Sequence, residues 1–96
     1  MEEFLADCSY ELRSVFFDAM SLLDMGQSLA MPLSRNLANI YHGLHELRLR
    51  DRTGQVRIFY FIKKGEAIYL LHAFKKKTQE LPRKEIEVTL NRIREI

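Results

Sequence analysis

The stretch HELRLRDRTGQVRIFYFIKKGEAIYLLHAF, residues 45–74, decides the fold. In HELRLR the side chains alternate, with His45, Leu47 and Leu49 on one side of an extended chain and Glu46, Arg48 and Arg50 on the other. DRTGQ, which contains Gly54, has the composition of a hairpin turn. VRIFYFI is dense in β-branched and aromatic residues, and KKGE makes a second turn. AIYLLHAF is a third strand that runs into Lys75, Lys76 and Lys77. Three consecutive, closely linked strands predict an antiparallel meander.

Upstream the period is helical. Phe4, Leu5, Cys8, Leu12, Val15, Phe16, Ala19, Leu22 and Leu23 recur at three- and four-residue spacing and make one apolar stripe. The pattern fits one helix or two broken near Ser9, and Gly26 supplies the stop. Residues 27–33, with Pro32, read as a connection; Ser34 then caps a short helix carrying Leu37 and Ile40 and ending near Gly43. Downstream, Pro82 fits the first turn of a last helix lined by Ile86, Leu90 and Ile93. The order is helices, meander, helix: one α+β domain over residues 1–96, with N-terminal helices packed on a small antiparallel sheet.

Composition narrows the class. Ninety-six residues, 47% of them hydrophobic, suit one small globular core. A single cysteine, Cys8, excludes an internal disulfide framework and a CxxC-type zinc site, and its spacing with Phe4, Leu5 and Leu12 suits a buried small hydrophobe. There is no apolar run long enough for a membrane span, and the start MEEFLADCSYELR carries acids where a signal peptide carries bases. The expectation is a cytoplasmic protein that engages no membrane. GxGxxG, P-loop, HExxH and GxSxG motifs are missing, and His42, His45 and His72 lack the acids and cysteines of a metal site. Neither metal nor cofactor is expected.

Charge is divided unevenly. Residues 1–44 carry 2 basic and 6 acidic side chains, while residues 45–96 carry 13 and 7. Segment 45–77 alone holds 9 basic against 3 acidic, which suggests an anionic partner, most commonly nucleic acid. Arg57 stands out because it interrupts an apolar strand two places from Phe59. A guanidinium there needs a partner or an open cleft: an ion pair with Glu46 or Glu66, snorkelling to solvent, or a phosphate clamp. Lys75, Lys76 and Lys77 point alternately to opposite faces, so at least one shares the face of Arg57, unless the run is simply solvated. Arg48 and Arg50 extend the same basic surface. His72 is either a proton-transfer group or a core histidine bonded to backbone. Tyr60 and Tyr69 either stack on bases or fill the core.

Taken together, ELR at 46–48, VRIFY at 56–60, LLHAFKKKTQELP at 70–82 and the helix that follows resemble the phage-derived branch of RelE/HigB-type toxins. EEFL, Glu2 to Leu5, and the helix ending at Gly26 are similar as well, so the likeness covers essentially the whole chain. Its most specific element is HxFxKKTxxxP, with His72, Phe74, Lys76, Lys77, Thr78 and Pro82 in place. The resemblance implies a RelE-like fold and the toxin of a type II toxin–antitoxin pair. It further implies a metal-independent endoribonuclease that cuts mRNA on the ribosome, and a cognate antitoxin of helix-turn-helix type. On that basis Arg57, His72, Lys75 and Lys77 are the catalytic candidates, and Arg48, Arg50, Lys76 and Tyr60 the RNA-binding ones. Two other outcomes share the fold: a ParE-like toxin that acts on a DNA-handling enzyme without cutting RNA, and an inactive relic that only binds antitoxin. Members commonly begin with a short β-strand before the first helix, whereas this sequence starts directly at MEEFL; a missing strand would expose a sheet edge.

Overall fold

A computed structural model describes residues 2–52, 54–63, 67–76 and 82–96 of the chain. Its N-terminal region is two helices, α1 (Glu2–Ala6) and α2 (Tyr10–Asp24). Ser9 separates them: its backbone is extended, and its hydroxyl accepts from the Leu12 amide at 3.2 Å. That bond satisfies one of the donors a helix start leaves free. Gly26 ends α2 as the sequence predicts. With φ at +82° it turns the chain so that the Gln27 amide reaches the Leu22 carbonyl at 3.0 Å.

The three predicted strands are β2 (Leu44–Asp51), β3 (Gly54–Lys63) and β4 (Ala67–Lys76), an antiparallel meander. Asp51 pairs with Gly54 at the first hairpin, while most of the KKGE turn lies outside the described residues.

One element differs from expectation. Ser34–Asn36 is not the start of a helix but a short strand, β1, paired antiparallel with β2. Residues 37–43 form turns, in which the Leu37 carbonyl accepts from the Ile40 and Tyr41 amides. The physical reason is the pairing itself. Seven residues separate β1 from β2, enough to reverse the chain and set Ser34 opposite Leu47. Gly43 permits the reversal at φ +90°, where an added Cβ would meet a Phe61 ring carbon at 2.8 Å. The sheet runs β1-β2-β3-β4, so β1 covers part of the β2 edge. Pro82 also sits one place earlier than expected, at the N-cap of α3 (Arg83–Arg94).

The helices occupy opposite faces of the sheet. Under α2, Leu12, Phe16, Ala19 and Leu23 pack with Leu47, Leu49, Val56, Ile58 and Tyr60. Under α3, Ile93 joins Leu37, Leu44, Phe59, Leu71 and Phe74. Val15 and Leu22, read from the sequence as part of the buried stripe, are exposed instead, at its margin. No helix among the described residues is long and apolar enough to cross a membrane.

Candidate nucleic-acid interface

Residues directly opposite one another on neighbouring antiparallel strands share a face. The register therefore sorts the charged side chains. On the α3 face, three rows run across the sheet: Arg35, Glu46, Phe59 and His72; then Arg48, Arg57 and Phe74; then Arg50, Gln55 and Lys76. The apolar members of this face lie under α3, and the rows beyond them are basic. Arg35, Arg48, Arg50, Arg57 and Lys76 are thus set on one end of one face, around the carboxylate of Glu46.

Arg57 lies at the centre and is only 4% exposed. Its Nη2 donates to Gln55 Oε1 at 2.6 Å, and its Nη1 to the Val56 carbonyl at 3.2 Å. Glu46, 1% exposed, brings Oε2 to 3.7 Å from Arg57 Nε, too far for a hydrogen bond. Both atoms are buried without a hydrogen-bond partner. The Glu46 pairing is one of the partners the sequence offered; Glu66 lies outside the described residues. Burial pulls the Arg57 pKa below its ordinary value, Glu46 opposes this, and Arg48 and Arg50 add to it. Lys76 is pulled down in the same way, first by burial and then by Arg57, Arg48 and Arg35, against Glu46. Arg35 and Lys76 stand on opposite edge strands, and Arg35 is the smallest of these contributions. Such a cluster is self-repelling, and an anion bound over it relieves the repulsion.

His72 closes the site on the helix side. Its Nε2 lies 2.5 Å from Glu85 Oε2, and its Nδ1 lies 3.4 Å from Arg92 Nη1. Since Arg92 can only donate, the consistent tautomer carries the proton on Nε2 and donates it to Glu85. A β-bulge sets up this contact. Phe59 pairs with His72 and Tyr60 with Leu70, which leaves Leu71 as the extra residue of β4. The freed Leu71 carbonyl accepts from Arg92 Nη1. His72 is therefore bonded to side chains of α3, not to backbone. Its ring also stacks on Phe74, with centroids 5.8 Å apart.

Of the eight sequence candidates, five come together on this face: Arg48, Arg50, Arg57, His72 and Lys76. Lys75 does not. It pairs with Val56 and projects to the α2 face, where its charge is felt by Cys8. Tyr60 is on that face too, 1% exposed, its hydroxyl 2.6 Å from Ser34 Oγ and its ring stacked on His45. Such a ring is a core residue and offers no face to a base. Lys77 lies outside the described residues. Tyr69 is half-buried against Phe61, on the α3 face.

Arg35, Gln55, Glu85 and Arg92 were not singled out from the sequence. Glu85, Thr89 and Arg92, at helical spacing beside the apolar Ile86, Leu90 and Ile93, form a polar margin that signals contact with a polar strand residue. Arg35 has no such signal, because a three-residue strand is too short to show a period.

A model of the family described as Phage derived protein Gp49-like (DUF891) matches residues 3–94 of the chain, nearly its whole length. This family is associated with RelE-like toxins of toxin–antitoxin pairs. No curated protein and no solved structure gives a match.

Proposed function

The chain belongs to the phage-derived Gp49-like family, and on that footing we propose that it is the toxin of a toxin–antitoxin pair and cuts mRNA on the ribosome. The observation that carries this reading is the gathering of Arg35, Arg48, Arg50, Arg57 and Lys76 around the Glu46 carboxylate, at the end of the α3 face beyond the apolar residues under the helix. Five cations so placed suit a run of phosphates, with Arg57 deepest.

In the reaction the 2′-hydroxyl of the message attacks the adjacent phosphorus. A P–O2′ bond forms and the P–O5′ bond breaks, giving a 2′,3′-cyclic phosphate and a 5′-hydroxyl. One proton leaves the 2′-oxygen and one arrives on the 5′-oxygen, so the protein supplies only proton transfer and charge stabilisation. Arg57 and Lys76 stabilise the charge that builds on the phosphoryl oxygens. A phosphate reaching Arg57 takes the place of Gln55 Oε1 at Nη2. His72 takes the 2′-hydroxyl proton at Nδ1, where the substrate displaces the 3.4 Å contact with Arg92 Nη1, and returns it to the 5′-oxygen, while Glu85 on Nε2 stabilises the charged ring. The ribosome, the message and a cognate antitoxin are the partners on this reading.

The enclosure of Arg57 favours a second reading. A guanidinium that is 4% exposed and internally paired can be a structural ion pair, which suits a ParE-like toxin that cuts no RNA. Controlled expression of the chain and of Arg57→Ala, with mapping of mRNA 5′ ends, separates the two. New cuts within coding sequence, reduced about 10²- to 10³-fold in rate in the variant, are the expected result. Growth arrest with intact message supports the ParE-like reading, and normal growth with intact message supports an inactive relic.

A further inference from the structure

The outer face of α2 carries an apolar seam that nothing among the described residues covers. Tyr10, Phe17 and Met25 are 76%, 58% and 70% exposed, on the side of α2 opposite its buried Leu12, Phe16, Ala19 and Leu23. Between them lie two exposed serines, Ser14 and Ser21. Tyr10, Ser14, Phe17, Ser21 and Met25 follow one another at spacings of four, three, four and four residues. That is the spacing of a helix-packing seam, and it runs for roughly 22 Å along the helix. Large and small residues alternate along it, so each serine leaves a hole between two knobs. Phe17 is held in place by an edge contact with buried Phe16, their ring centroids 5.3 Å apart.

The seam has acidic borders. At about 100° per residue, Asp18 and Glu11 line one side, while Asp24 and Arg13, the only base on the helix, line the other. None of these three carboxylates enters an ion pair among the described residues. Two copies of α2 packed antiparallel, seam to seam, would set the Glu11 and Asp18 border of one against that of the other, which argues against a second copy as the occupant.

We propose that this face receives an amphipathic helix of a partner protein, one with a large-residue apolar stripe bordered by lysine or arginine. If the toxin reading above holds, the antitoxin is the partner that supplies it. Because α2 and the cationic rows lie on opposite faces of the sheet, such a helix would hold the protein without covering Arg57.

The test uses the full chain and two labelled 21-residue helical peptides. One carries leucines along its seam and lysines on its borders; the other replaces those lysines with glutamates. Fluorescence anisotropy should show the lysine peptide binding at least tenfold tighter than the glutamate peptide. Phe17→Glu, at an exposed position, should weaken the lysine peptide at least tenfold while leaving the far-ultraviolet circular dichroism unchanged. Equal binding of the two peptides, no binding, or indifference to Phe17→Glu overturns the proposal. So does a dimer in sedimentation that Phe17→Glu dissolves, since the occupant would then be a second copy. Growth arrest on expression is scored separately. Arrest without peptide binding removes this inference and leaves the toxin reading, and binding without arrest does the reverse.

Discussion

The two faces of this sheet are made by alternate residues of the same strands, yet they differ in kind. The face under α2 is apolar along β2 and β3, from Leu47 and Leu49 to Val56, Ile58 and Tyr60. The face under α3 is apolar only where the helix covers it; beyond that it buries Arg57 and Glu46, each with an unbonded polar atom. A buried ion pair at 3.7 Å whose facing atoms, Arg57 Nε and Glu46 Oε2, make no hydrogen bond recovers only part of what desolvation costs. Apolar residues of similar size would hold the fold at least as well. The contrast therefore assigns stability to one face and leaves the charged half of the other to be explained by what it binds.

The largest effects test that division directly. On the α2 face, Phe16→Ala should cost about 3–5 kcal/mol in urea unfolding. The adjacent but exposed Phe17→Ala should stay within about 0.5 kcal/mol. Similar losses at both positions would mean that α2 is not seated as described. On the α3 face, Glu46→Ala should cost about 3–5 kcal/mol, because Arg57 is left buried and unpaired. A cost near zero would show that Arg57 swings out to solvent and that the enclosed pair is not its resting arrangement.

A smaller effect belongs to the link between β1 and the core. Ser34→Ala removes the partner of the buried Tyr60 hydroxyl and should cost about 1–3 kcal/mol. No loss would indicate that β1 does not dock on β2 in solution.

The smallest effect is a pH dependence on the α2 face. Burial lowers the pKa of His45 from its ordinary 6.5, so protonation favours the unfolded chain. Its contribution to stability is complete above about 6.5 and is lost as pH falls through the lower folded value. The urea midpoint should thus drop between about pH 7 and pH 5, and less steeply in His45→Gln. Identical slopes would remove His45 from the account.

How far the sequence announced all this depends on element length. The eight-residue β2 showed its alternation plainly, and Glu46, Arg48 and Arg50 do share a face. The three residues of β1 showed none, and Leu37 and Ile40 at three-residue spacing suggested a helix where the chain makes turns. Arg57 was conspicuous as a charge in an apolar strand. Which lysine accompanies it was not legible, because that depends on the β3–β4 register: Arg57 pairs with Phe74, which puts Lys76 on its face and Lys75 on the other. Glu85 and Arg92 lie 13 and 20 residues from His72, and only the packing of α3 over the bulge brings them to its ring.

One double replacement tests the division of labour most directly. Glu46→Leu with Arg57→Met substitutes apolar side chains for both members of the buried pair. The account predicts unfolding free energy equal to wild type or higher by about 1–4 kcal/mol, together with loss of RNA cleavage by about 10²- to 10³-fold. A double variant as unstable as Glu46→Ala that still cuts message at the wild-type rate would contradict it, and would make the charged half of the α3 face part of the scaffold.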